Sequence, residues 1–432
     1  MTSWFLATTQ RAARMPFLRE FLGFGSSTIA EQGSRLMTAL VAAAILGPAV
    51  WGYWFLLNLI LQYGTLFHLG AVNGMNREVP AAMGRGEPGE SEALRRSALG
   101  FLGISLAAAV VIVVVMSLLL GEMLPLRDVA AALALLAAQQ LFTFAITSLK
   151  ARTEFGSVSR LQFVSALVYP AVVIPATFLW LLPGFMLGQA LAYFLLAVAA
   201  ARGTKGMYRP VVDWPRSRRL IAIGFPIMLV GVVFALFATV DRWVVAAHLD
   251  AAALGHYALA LMALGAVGLL PRVISQQVYP RMAFAWAAHG DVDEMTRLVR
   301  RQRIMALVIT TALCLPLAAV APWMIRTFLP AYVPGVAPLL VTLAIPIVSS
   351  VGRGYGNVLN VLGLQVWYLA FIVVATGVNL ALSLALVGPF GLVGVALGSL
   401  GGYAFMAGCL VVAGTVVFRR LRAAPRRQPS PG

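Results

Sequence analysis

Twelve times along this chain an apolar run recurs at close to the length that a helix needs to cross a bilayer, about 20 residues, and this most restricts what it can fold into. The runs fall at 21–46, 50–75, 98–120, 129–149, 161–180 and 182–201, then at 221–247, 254–279, 305–323, 333–359, 366–386 and 392–418. No water reaches backbone N–H and C=O groups inside hydrocarbon, so each run must close its own hydrogen bonds as a helix. A soluble core has no room for a chain that is 61% hydrophobic and 11% charged, with mean hydropathy +0.89, because too little polar surface remains to cover it. The expected fold class is all-α, a polytopic membrane protein.

A net charge of +17 raises the question of nucleic acid, but the placement of the basic residues answers it. With alternate loops assigned to alternate sides, 26 of the 32 Lys and Arg residues fall on one side. Arg127 and Arg326 fall on the other, and Arg35, Arg242, Arg272 and Arg353 lie within spans, Arg353 near enough to a span end to snorkel. This asymmetry is that of positive cytoplasmic loops, so no nucleic-acid partner is expected and both termini are placed in the cytoplasm with an even number of spans. The first twenty residues lack the long apolar stretch and small-residue cleavage site of a removable signal and read as an interfacial segment.

The longest mid-chain polar stretch divides the spans six and six, and the two halves begin alike. Phe21-Leu-Gly-Phe-Gly25 resembles Ile221-Ala-Ile-Gly-Phe-Pro226, and Leu46-Gly-Pro-Ala-Val-Trp-Gly-Tyr-Trp54 resembles Leu249-Asp-Ala-Ala-Ala-Leu-Gly-His-Tyr257, aligning Gly52 with Gly255. Six spans per repeat give both halves one orientation, so two six-helix lobes related by a pseudo-two-fold along the membrane normal are expected. The boundaries are a cytoplasmic segment at 1–20, an N-lobe at 21–201, a linker at 202–220, a C-lobe at 221–418 and a basic tail at 419–432. In the last span Gly394, Gly398 and Gly402 recur every fourth residue, a surface that admits close helix approach.

No catalytic constellation is present. The two lysines, Lys150 and Lys205, follow no glycine-rich phosphate loop, and the four histidines are scattered. No metal or other cofactor is expected. Cys314 and Cys409 lie in apolar spans and read as small core residues.

The informative residues are charges inside the spans, each costing about 2.5 to 3.5 kcal/mol at mid-bilayer unless it meets water or a partner. Glu31 and Arg35 are spaced i, i+4 and can pair, while Asp241 and Arg242 are adjacent and point about 100° apart. Arg35 lies 17 residues before Gly52 and Arg242 lies 13 before Gly255, about one helical turn apart in depth. Two readings stand: the acids and arginines neutralise each other and orient their helices, or Arg35 and Arg242 form a cationic chamber for a phosphate or diphosphate, with Arg272 either extending it or binding lipid phosphate at the interface. Glu31 and Asp241, the acids within the spans, are the candidates to bind a coupling ion.

With these residues in place, the chain resembles the oligosaccharide and polysaccharide flippases of the multidrug/oligosaccharidyl-lipid/polysaccharide exporter superfamily over nearly its full length. The resemblance is carried by Leu46-Gly-Pro…Gly-Tyr-Trp54, Leu69-Gly70…Gly74…Arg77-Glu-Val-Pro80 and Gly224-Phe-Pro226…Asp241-Arg242…Leu249…Gly255-His-Tyr257. It implies alternating access between two lobes and transfer of a polyprenyl-diphosphate-linked oligosaccharide across a bacterial cytoplasmic membrane. It further implies membrane lipids, a glycan polymerase and glycosyltransferases as partners, and no enzymatic activity of its own. The alternatives are a lipid II flippase, whose relatives usually carry two further C-terminal spans, and a cation-coupled drug antiporter, which calls for a cavity biased toward acids.

Overall fold

The computed structural model describes residues 2–120, 125–204 and 207–423, and the side chains of Arg11, Arg14, Arg19, Gln276 and Gln277 lie outside this description, as do Lys205 and the tail beyond 423. Every regular element among the described residues is helical. The long helices are α1 (Thr2–Gly64), α3 (Pro88–Leu120), α4 (Leu126–Ala151), α5 (Phe155–Gly203), α6 (Trp214–His248), α7 (Ala251–His289), α8 (Val292–Phe328) and α12 (Gln365–Ala423). Shorter helices are α2 (Ala71–Gly84), α9 (Val336–Thr342), α10 (Ala344–Gly352) and α11 (Tyr355–Val361).

Nine apolar helical stretches among the described residues are long enough to cross a membrane. Three of them are broken internally, at Gly47 in α1, at Trp180 and Leu181 in α5 and at Gly391 in α12, so the nine stretches accommodate the twelve expected spans. In α5 and α12 the break is a hairpin. A Cβ on Gly184 would lie 1.9 Å from the Ala176 carbonyl oxygen, and one on Gly398 would lie 2.3 Å from Ser383 Oγ. The Gly394, Gly398 and Gly402 stripe therefore packs on the span that precedes it in sequence, a contact that only hydrogen side chains allow.

The chain forms two compact units, one of Met1–Leu46 with Leu57–Leu229 and one of Gly47–Leu56 with Val230–Gly432. The core of the first unit gathers Met75, Leu94, Leu102, Phe144 and Leu220; that of the second gathers Phe237, Met282, Met295, Val358 and Ile372. In the first unit Gly70 and Gly224 meet backbone to backbone, a Cβ on Gly224 falling 1.9 Å from the Gly70 carbonyl oxygen. In the second the aligned glycines do the same: a Cβ on Gly52 would sit 1.7 Å from the Ala251 carbonyl oxygen, and one on Gly255 1.9 Å from that of Pro48.

The polar stretch before α6 and the first turns of α6 are fastened to α2 and α3. The Val211 N–H donates to the Arg96 carbonyl at 3.1 Å, Arg216 pairs with Glu90 at 2.8 Å and with Asp213, and Arg219 pairs with Glu78 at 2.6 Å. The backbone N–H and guanidinium of Arg216 hold the Asp213 carboxyl below the ordinary carboxylate range.

Candidate functional site

The two span carboxylates that the sequence singles out, Glu31 and Asp241, are both buried, one in each unit, and are provided for differently. In the first unit Glu31 lies on α1 and is 6% exposed. Its Oε1 accepts from Arg35 Nη2 at 2.7 Å and from Ser165 Oγ at 3.0 Å. Arg35 Nη1 donates to the Tyr193 hydroxyl, and the guanidinium carbon lies 4.7 Å from the ring centre of Tyr169 and 4.9 Å from that of Tyr193. Tyr169 donates in turn to Gln189 Oε1 at 2.7 Å. The i, i+4 spacing puts acid and base on one helix face, and the hairpin of α5 brings Tyr169 and Tyr193 from its two arms to that face. Arg35 is thereby held by a carboxylate, a phenol and two aromatic faces.

In the second unit Asp241, on α6, is 5% exposed. Its Oδ2 accepts from the Tyr257 hydroxyl at 2.8 Å and from Ser399 Oγ at 3.0 Å, and its Oδ1 from the Arg242 backbone N–H at 2.8 Å. The donors from α7 and α12 are neutral. The Arg242 guanidinium makes no ion pair with Asp241, lies within electrostatic range of Tyr257 and Tyr403, and its Nε is buried with no hydrogen-bond partner. The 100° step between adjacent helix residues produces this separation.

Arg272, on α7, is exposed. It shares a neighbourhood with Arg353, which caps α10 where the chain breaks before Gly354 at φ 98. Tyr368 and Tyr403 flank Arg353, and its Nε is also buried and unpartnered. The guanidinium thus turns inward, where the sequence suggested an interfacial residue reaching outward. Close by in sequence, Asn357 Nδ2 donates to Ser275 Oγ at 3.1 Å and to Gln302 Oε1 at 3.2 Å, and Gln302 Nε2 is left unpartnered.

Among the described residues, Arg242, Arg272 and Arg353 make no ion pair with a carboxylate, whereas Arg35 does. An orphaned buried donor loses the solvation of a polar group without replacing it, and a charged one costs more. Such donors are suited to an anion that arrives from outside the protein. Sequence reasoning singled out Arg35, Arg242 and Arg272 with the two acids. It missed the tyrosines 169, 193 and 257, Ser399 and the inward turn of Arg353, since each depends on which distant helix packs alongside.

Residues 96–332 match the family model described as polysaccharide biosynthesis protein. No curated protein matches the chain by sequence. A mutant of the MATE transporter VcmN from Vibrio cholerae shares the fold at a TM-score of 0.67 and 16% identity, over 94% of this chain and 98% of that one. The lipid II flippase MurJ in an inward closed conformation does so at 0.66 and 15%, over 93% and 90%. A MOP superfamily transporter from Pyrococcus furiosus, whose binding pocket is described as reversed in polarity, follows at 0.60 and 12%, over 93% and 96%. The all-α fold is therefore shared with these transporters, and this multi-pass membrane chain belongs to the polysaccharide biosynthesis protein family.

Proposed function

We propose that the protein is a flippase that carries a polyprenyl-diphosphate-linked oligosaccharide across the bacterial cytoplasmic membrane by alternating access, with both termini in the cytoplasm. The observation that carries this reading is that, of the four arginines within the spans, Arg242, Arg272 and Arg353 have no carboxylate partner among the described residues, and two of them have a buried, unpartnered Nε. A diphosphate supplies the acceptors and the negative charge that these groups lack. Arg242 and Arg272 bind the diphosphate, and Arg35 engages substrate when Glu31 releases it. Glu31 and Asp241 are the groups at which a coupling ion acts. Membership of a polysaccharide biosynthesis family supports a glycan cargo, supplied by glycosyltransferases and passed to a polymerase.

A cation-selective drug pathway is disfavoured by the same pairings, because Glu31 is already neutralised by Arg35 and Asp241 accepts three hydrogen bonds. The reading is tested by reconstituting the purified protein in vesicles with a polyprenyl-diphosphate oligosaccharide and measuring its accessibility to an external glycosidase. Arg242→Ala and Arg272→Ala are expected to abolish the transfer while the protein stays folded. Transfer at the wild-type rate in both variants overturns the cationic-site assignment.

A further inference from the structure

We propose that a groove on the first unit, between α4 and the last two turns of α5, binds an anionic phospholipid of the cytoplasmic leaflet, with an acyl chain along α5 and the phosphate on Arg202. The groove encloses about 390 Å³ and is lined by Leu141 of α4, by Phe194, Ala197, Val198 and Ala201 of α5, and by Arg202 and Tyr208. The four α5 residues are spaced i, i+3, i+4, i+7, which makes one continuous stripe about 10 Å long. Tyr208 donates to the Leu141 carbonyl at 3.1 Å, so its ring forms a wall that the backbone of α4 holds in place.

Three observations choose the occupant. The lining is apolar except at one end, so water gains few hydrogen bonds there while hydrocarbon loses nothing. The neighbouring Leu191, Phe194 and Leu195 are 49%, 52% and 43% exposed, a face left for lipid chains rather than for a helix of this unit. The polar end carries Arg202, with Arg209 immediately after the Tyr208 wall, and neither pairs with a carboxylate among the described residues. A basic pair at the end of an apolar track, on the side where the loop arginines concentrate, matches an anionic headgroup above its acyl chain. A track this short grips part of one chain and is poorly matched to a long polyprenyl tail.

The experiment uses the full-length protein purified in detergent and titrated by native mass spectrometry with phosphatidylglycerol, phosphatidylcholine and a polyprenyl phosphate. One phosphatidylglycerol is expected to be retained in preference to phosphatidylcholine, with affinity falling about fivefold in Arg202→Ala, the equivalent of one basic residue near an anionic surface. Arg202→Lys is expected to keep the preference, and Val198→Trp, which fills the groove, to lose the bound lipid. Arg202 is exposed, so its replacement leaves the fold intact. Equal retention of the two phospholipids, displacement of the bound phosphatidylglycerol by the polyprenyl phosphate, or wild-type phosphatidylglycerol binding in Arg202→Ala overturns the proposal.

Discussion

Leu181 and Gly391 adopt the same backbone conformation, φ 51 and ψ −130 in one and φ 55 and ψ −131 in the other, each at the turn of a helical hairpin. The register around them also repeats. Three residues on, Gly184 faces the Ala176 carbonyl and Gly394 the Leu386 carbonyl; seven residues on, Gly188 lies near Val173 and Gly398 near Ser383. The same turn has thus been kept in both halves of the chain, with glycine in one and leucine in the other.

That conformation is open to glycine and strained for any residue with a Cβ. Leu181→Gly is therefore expected to leave stability unchanged or raise it, and Gly391→Leu to lower it by about 1–3 kcal/mol. Thermal unfolding of the two variants in the same detergent measures both. A fall in the first with no change in the second contradicts the strain argument.

Gly52 and Gly255 sit where the stretch after the Gly47 break in α1 crosses the start of α7, each against a carbonyl of the other segment. A methyl group at either position requires the backbone to move, because the opposing atom is main chain. Gly52→Ala and Gly255→Ala are each expected to cost about 1–3 kcal/mol as overpacking and to weaken glycan export in cells. Normal export and an unchanged melting temperature in both would show that the segments separate freely.

Glu31→Gln leaves the Arg35 charge with only neutral partners. Breaking a buried pair typically costs about 3–5 kcal/mol, and the lower end is expected here because the Arg35 side chain keeps 20% exposure. Adding Arg35→Met should restore most of the loss. A double-mutant cycle on melting temperature gives the coupling; values near zero would mean that the pair contributes nothing to the fold.

Arg353 presents the opposite case, a half-buried guanidinium whose Nε is fully buried and which pairs with no carboxylate among the described residues. Arg353→Met removes that desolvation and is expected to raise the melting temperature while reducing export, the trade shown by residues held for function. A variant that is less stable and fully active would assign Arg353 a packing role instead.

The Asp213 contact makes the linker sensitive to acid. The folded carboxyl titrates below its ordinary value of 3.8, so its contribution is fully present above that value and is lost as pH falls through the folded pKa. Exchange protection of the Arg216 amide, which donates to Asp213 Oδ1 at 3.1 Å, is therefore expected to show no carboxylate step between pH 8 and 5 and to fall below pH 4. Asp213→Asn should abolish the acid step. A loss of protection near neutral pH would point to another group.

The number and kind of spans were legible in the sequence because hydropathy is local: a run such as 392–418 has one way to satisfy its backbone in lipid, whatever surrounds it. The Glu31 and Arg35 pair was legible for the same reason, as both residues lie on one turn-spaced face of a single helix. What the tertiary structure decided was the partner of each charge. Whether Arg35 meets tyrosines from both arms of α5, whether Asp241 is met by Tyr257 and Ser399, and whether Arg353 turns inward depend on helices brought together from 16 to 158 residues away. Spacing along one helix fixes which face a side chain occupies; only the packing of other helices against that face determines whether its charge is neutralised there or left for a ligand.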